Sequence, residues 1–462
     1  MSPGEASMPA ADLRRALGPW SAGAFVVTSM VGAGIFTVPA FVRAAAGSGP
    51  AALAVWATGA VLALCGSLTY AELSTRMPEA GGEYHFLARV YGPLWGFLSG
   101  WVSFLVGFSA AAAAMALAAV AYAAELLPSW NPRDPFFGGP VSQGAVAAAV
   151  LIVALAAYHC VGVRGSGLLQ SGLAFVGLAA IAILVVAGFA TGRGDWRGVF
   201  SSSVQSGSWW IALIQVSYAF SGWNAAAYVA GEVREPSRNL PRALIGGTIV
   251  VTIAYLALNV LFFYALPAAE WQAEIAVGFL AADILFGDMG ARAVTALIAV
   301  AIFGSLSAVM AAGPRVYYAM ARDGLGLPGF DRLGKRTQAP VLAILAQAGV
   351  AVMLALTGAF GALLTYIGSS LLLFTGLAVA SVFLVRRRQS SEDTDDPRAF
   401  RVPGYPVTPA IFVVLVVAAL TNGFLDQPWL TGAAFATVGV GALLYGVARR
   451  LGWLSPSWKV QP

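Results

Sequence analysis

The groups in this 462-residue chain best placed to do chemistry are backbone amides and carbonyls, exposed where two apolar segments are interrupted. The first interruption lies in Thr28-Ser-Met-Val-Gly-Ala-Gly-Ile-Phe36 and the second in Tyr218-Ala-Phe-Ser-Gly-Trp-Asn224. Gly and Ser loosen a helix at both places. Unwound backbone at membrane depth is tolerated only where it lines a cavity or binds something. A half-helix starting near Gly34 presents free N–H groups and a positive dipole end, which suits a carboxylate. Carbonyls ending the preceding half-helix, and those of the second break, suit an ammonium, so a zwitterion satisfies both. The segment interiors offer neither an acid for a cationic side chain, since Glu125 and Glu232 lie near helix ends, nor a base for an anionic one. A small neutral amino acid is the expected ligand. The alternative for each break alone is close helix packing of the small-xxx-small kind.

Other chemistry finds little support. The apolar segments hold no Ser/His, paired-Asp or HExxH arrangement, and two histidines supply little acid–base equipment, so no enzyme activity is expected. A channel or receptor would need a repeated pore loop, a charged filter ring or a large ligand domain. Cys65 and Cys160 both sit in apolar stretches and read as small core residues, with no disulfide framework and no cysteine-rich metal pattern. No cofactor and no nucleic-acid partner is expected.

The elements that must hold these breaks follow from composition. Of the residues, 59% are hydrophobic and 10% charged, against about 45–50% and about 25% in soluble domains. So little charge over so much apolar surface requires the bilayer as solvent. Stretches such as Val141 to Tyr158 are apolar on both parities, which excludes a barrel strand and leaves helices. Windows long enough to cross run Trp20 to Arg43, Ala51 to Leu73, Leu94 to Leu127, Val141 to Val163, Gly167 to Ala190, Trp209 to Val233, Ala243 to Leu266, Ala291 to Met320, Pro340 to Leu356, Leu363 to Val385, Val407 to Phe424 and Trp429 to Val447. With the amino terminus in the cytoplasm, all but Arg43, Arg133, Arg193, Arg197 and Arg292 of the 26 Lys and Arg fall on the cytoplasmic side. The expectation is an all-α protein of the cell membrane with twelve transmembrane helices, both termini cytoplasmic, and no leader that is removed.

The breaks fall in segments one and six. If the first ten helices form two five-helix units, these are corresponding positions, and an odd number of crossings inverts the second unit. The expected divisions are a cytosolic tail over 1–19, a first repeat over 20–191, a second over 207–388, a solvated connector over 389–404, two additional helices over 405–450 and a tail over 451–462. Met77 to Gly92, apolar at Tyr84, Leu87 and Tyr91, has the spacing of a short interfacial helix. Glu232 closes segment six beside Arg234, Arg238 and Arg242, a possible gate made of ion pairs.

Four motifs together resemble the amino acid–polyamine–organocation superfamily of secondary transporters, from about Leu17 to Arg450. They are Gly32-Ala-Gly-Ile-Phe36, Pro78-Glu-Ala-Gly-Gly-Glu-Tyr84, Glu232-Val-Arg-Glu-Pro-Ser-Arg-Asn-Leu-Pro-Arg242 and Gly313-Pro-Arg-Val-Tyr-Tyr-Ala-Met-Ala-Arg-Asp-Gly324. The resemblance implies the leucine-transporter-like fold, with broken helices one and six and alternating access around a central site. It implies a carboxylate held by the N–H groups of Gly32, Ala33 and Gly34, next to Ile35, with a carbonyl from Met30. From the second break it implies carbonyls of Tyr218, Ala219 and Ser221 beside Gly222, an aromatic lid from Tyr218 or Phe220, and a pocket-shaping side chain from Trp223 or Asn224.

One departure bears on energy coupling. Many relatives carry a lysine midway along segment five, and here that position aligns with Gly177, with no Lys or Arg from Leu168 to Ala190. Ser305 and Ser307 are weak candidates to hold sodium in the vacated space, although hydroxyls bonding their own helix are the commoner case. The missing lysine favours an exchanger or facilitator, with a counter-substrate amino acid, over a proton- or sodium-coupled symporter.

Overall fold

A computed structural model describes residues 15, 17–79, 81–161, 166–200, 207–267, 271, 275–334, 337, 339–392 and 399–454. The tails expected over 1–19 and 451–462 lie largely outside these residues, as does the middle of the connector. In chain order the helices are α1 (Pro19–Met30), α2 (Ala33–Ala46), α3 (Gly49–Arg76), α4 (Glu83–Tyr91), α5 (Pro93–Val102), α6 (Ala111–Ala124), α7 (Gln143–Cys160), α8 (Ser166–Ala190), α9 (Trp196–Phe200), α10 (Trp209–Ala219), α11 (Ala225–Tyr228), α12 (Pro236–Ala265), α13 (Val277–Arg322), α14 (Val341–Ala355), α15 (Phe360–Glu392), α16 (Val407–Asp426) and α17 (Pro428–Arg450). Among the described residues no β-strand forms beyond isolated bridges.

Eight described helices are long and apolar enough to cross a membrane, nine if the pair α1 and α2, bent by 41°, counts as one span. Three shorter apolar helices, Phe175–Ala190, Trp209–Ala219 and Val341–Ala355, accompany them. Val150 and Val153 of α7, Ile253 of α12, Met353 of α14, Val414 and Val417 of α16 and Leu443 of α17 are turned outward. That apolar exterior requires lipid tails around it.

Local chemistry sets the ends. Ser48, Ser142 and Ser208 accept from Ala51, Ala145 and Ile211, capping α3, α7 and α10, and Gly47 closes α2 in the left-handed conformation. Between α5 and α6 the helix widens to π-geometry over Ser103–Ala110, a local form frequent at functional positions. The breaks sit at the centre: α1 packs on α12 and α11, α2 on α10 and α13, and α10 also on α3 and α15.

The short helix expected after α3 forms as α4, with Glu83, Tyr84, Phe86, Leu87, Ala88 and Val90 buried and packing against α5 and α15. One expectation about loops is corrected: the connector is not solvated throughout. The Phe400 amide donates to Thr75 at 3.2 Å and the buried Val402 amide to Glu72 at 2.7 Å.

Candidate substrate site

Helix α1 ends at Met30 and α2 begins at Ala33. Gly32 provides no side-chain cap, so the N–H groups of Ala33, Gly34 and Ile35 open α2 without a side-chain acceptor. The half-helix therefore starts one residue before the expected Gly34. Met30, Gly32, Ala33, Gly34 and Ile35 are all buried. Across from them α10 ends at Ala219, and Gly222, at φ +101°, turns the chain toward α11.

The two breaks touch. A Cβ on Gly34 would lie 2.7 Å from the Ala219 α-carbon, and one on Gly222 would lie 2.6 Å from the Ser29 carbonyl carbon and oxygen. Real Cβ atoms do not approach backbone so closely, so both glycines are required for contact. The packing explanation applies to the pair: glycine brings together two stretches of backbone whose polar groups are not all spent on helix.

The carbonyls divide into engaged and available. Met30 accepts from the buried Tyr255 hydroxyl of α12 at 2.6 Å, Val31 from Ser305 of α13 at 3.3 Å, and Tyr218 from the Ser221 amide at 3.0 Å. Among the described residues no turn bond goes to the carbonyls of Ala219, Phe220 or Ser221. Among the described residues the buried Tyr218 hydroxyl has no hydrogen-bond partner, leaving a donor that a bound polar group can satisfy.

The remaining sequence candidates point elsewhere. Phe220 packs against Trp56 and Tyr255 at centroid distances of 5.9 and 5.1 Å. Trp223 stacks edge-on against Tyr70 at 4.8 Å and faces Phe412 at 6.0 Å, in the space left by Gly66. Asn224 donates to Glu83. These three side chains join the second break to α3, α4, α12 and α16.

Gly177 packs beside the first break. A Cβ there would meet Val31 Cγ1 at 3.0 Å and Ala301 Cβ at 3.4 Å, beside Ser305, which bonds Val31 and also the Ala301 carbonyl at 3.1 Å. Ser307 is not with it: two residues on, it faces α7 and meets His159 Nε2 at 3.2 Å. The two hydroxyls are not brought to one ion.

Nor does Glu232 form the expected ion pairs. Among the described residues its carboxylate pairs with no arginine, while Arg238 reaches Glu235 at 3.9 Å. Its backbone acts instead, as Leu17 N–H donates to the Glu232 carbonyl and Arg234 N–H to the Leu17 carbonyl, both at 2.9 Å. This pins Leu17, just before α1, to the segment that follows α11.

Three polar clusters that sequence reasoning missed close the same end of the bundle, where α3, α13 and α15 finish. Glu83 accepts from Tyr70 at 2.9 Å, and from Asn224 and Tyr228. Tyr84 donates to Asp323 at 2.9 Å. Glu72, with no exposed side chain, takes Arg386 Nη2 at 2.6 Å, Arg76 Nε at 3.0 Å and the Val402 amide. The available signal was the concentration of acids, Glu72, Glu79 and Glu83, in an otherwise apolar stretch, with Asn224 and Tyr228 four apart on one helical face.

The amino acid permease family matches the chain over residues 17–444. The chain is similar to the serine/threonine exchanger SteT of Bacillus subtilis, with 29% identity covering 95% of this chain and 98% of that one. It is similar to the human cystine/glutamate transporter, with 29% identity over 91% of this chain and 82% of the relative. It also resembles the human large neutral amino acids transporter small subunit 2, with 28% identity over 94% and 80%. Broken helices set face to face within an all-helical membrane bundle, and a match spanning nearly its whole length, place this chain in the amino acid permease family.

Proposed function

We propose that this chain is a secondary transporter that exchanges small neutral amino acids across the cell membrane by alternating access. The observation that carries this reading is the contact of the two breaks. N–H groups of Ala33, Gly34 and Ile35 at the start of α2 suit a carboxylate, and the carbonyls of Ala219 and Ser221 suit an ammonium. Relatives named as a serine/threonine exchanger and as large neutral amino acid transporters point to the same class. In this reading residues 20–191 and 207–388 are inverted repeats, twelve helices cross, and the end closed by Glu72, Glu83 and Asp323 faces the cytosol with both termini. Glycine at 177 removes the fixed cation of lysine-bearing relatives, and Ser305 fills its place by bonding Val31, which favours exchange over ion coupling.

Proteoliposomes loaded with unlabelled L-serine, or left empty, test this with labelled L-serine, L-leucine, L-lysine and L-glutamate outside, in sodium or choline. Uptake of a neutral amino acid that requires internal substrate and persists in choline is expected. Uptake without internal substrate, driven by an imposed sodium or proton gradient, would overturn the exchange reading, and movement of lysine or glutamate alone would overturn the substrate class.

A further inference from the structure

Glu83 begins α4 and is 6% exposed, yet its carboxyl meets no cation among the described residues. Its surroundings are neutral donors from other elements: the Tyr70 hydroxyl of α3 at 2.9 Å, the Asn224 amide at the start of α11 and the Tyr228 hydroxyl at its last residue. The Gly81 amide, two residues before it, donates to the Tyr228 carbonyl at 3.2 Å. Nearby charges are committed elsewhere. On its own segment His85 and Arg89 meet Glu79 at 3.0 and 3.2 Å, Tyr84 binds Asp323, and Arg76 and Arg386 bind Glu72.

A carboxyl held only by neutral hydroxyls and an amide behaves differently from one held by arginine. Its bonds survive protonation, because a hydroxyl can turn from donor to acceptor, whereas burial without a cation disfavours the ionised form. Burial accordingly pushes the Glu83 carboxyl above the usual range, against the opposing hydrogen bonds of Tyr228 and Tyr70. Movement of α11 away from α3 and α4 would return this group to water and to ordinary acidity.

We propose that Glu83 is a positioning residue of the transport cycle, clamping α11 to α3 and α4 while the cytosolic side is closed. The closed form binds a proton at this carboxyl more tightly than the open form, so cytosolic acidity favours the closed carrier. The inference rests on the transport reading only in requiring α11 to move, and is independent of which amino acid is carried. Because protonation favours the closed form, the clamp is fully effective below the open-state value, about 4.3, and weakens as pH rises through the closed-state value.

Hydrogen–deuterium exchange of the segment 218–233, in nanodiscs and corrected for intrinsic rates, reads the opening without substrate. Wild type is expected to lose protection between about pH 5 and about pH 7.5, up to about tenfold for each unit separating the two states. Glu83→Gln should hold the acid level of protection at both values. If Glu83→Gln does not fold, Tyr228→Phe serves: losing a donor that favours the ionised form, it should move the midpoint upward. A pH dependence retained by Glu83→Gln, a wild type with none, or an unmoved midpoint in Tyr228→Phe overturns the proposal. Failure of amino acid exchange in proteoliposomes would overturn the functional reading alone.

Discussion

Gly34 and Ala219 are in backbone contact: a side chain added to the first would begin 2.7 Å from the α-carbon of the second. The first alanine-sized group therefore forces α2 and α10 apart at the point where their free polar groups meet. Gly34→Ala is expected to reduce amino acid uptake at least about tenfold, the effect of about 1.4 kcal/mol, and to lower the melting temperature. Since both follow from one displacement, a variant that keeps full stability while losing transport would contradict this account and assign Gly34 to binding alone.

The Tyr255 hydroxyl, fully buried, satisfies the Met30 carbonyl where α1 ends. Tyr255→Phe keeps the ring packing on Trp56 and Phe220 and leaves that carbonyl without its donor, which costs about 1–3 kcal/mol. A fall in thermal stability accompanied by altered substrate affinity is expected in a detergent melt and a concentration series. A silent substitution would show that the bond does not hold the break.

Glu72 and Arg386 join α3 to α15 through two bonds, at 2.8 and 2.6 Å. Removing one partner of a buried pair strands the other, at about 3–5 kcal/mol, and the lower end applies because the Arg386 side chain is 22% exposed. Glu72→Gln should cut the yield of folded protein, and Glu72→Gln with Arg386→Gln should recover part of it. An additive double variant would refute the pairing as the source of stability.

Asp323 gives a pH dependence outside the membrane spans. Burial raises its carboxyl, opposed by the Tyr84 hydrogen bond and by the His85 and Arg322 charges. A group raised on folding stabilises fully below its unfolded value, about 3.9, and that contribution is lost as pH climbs through the folded value. Melting temperature should therefore fall from about pH 4 upward in wild type and fall less in Asp323→Asn. Tyr84→Phe, lacking the donor that favours ionisation, should steepen it; a slope untouched by both would remove Asp323 as its origin.

The helices and both breaks were legible because long apolar windows and small-residue interruptions are local signals, and the Gly34 and Gly222 positions were in the expected motifs. Side-chain direction was not. Trp223 and Asn224 lie in the second break, where the chain turns between α10 and α11 in a way that no helical period reports, and that turn carries their side chains to Tyr70 and Glu83. Two residues of α13, about 200° of rotation, separate Ser307 from Ser305. The Glu83 cluster was hidden because its members come from three elements remote in the chain, and no periodicity reports such meetings. Helix α4 was legible from its amphipathic spacing, whereas its packing against α5 and α15 was not, because no local pattern reports such contacts.

The bond from the Val402 amide to Glu72 also determines how far the polypeptide can be shortened. Helices α16 and α17 follow the elements that carry the breaks, and stopping translation after α15 would give a shorter chain. Such a deletion would take Val402 with it, and the carboxylate that fastens α15 to α3 would lose its backbone donor. A trimmed version built for engineering must retain Phe400 to Val402 or supply another N–H at that place, so these two helices are tethered into the framework from which they superficially appear detachable.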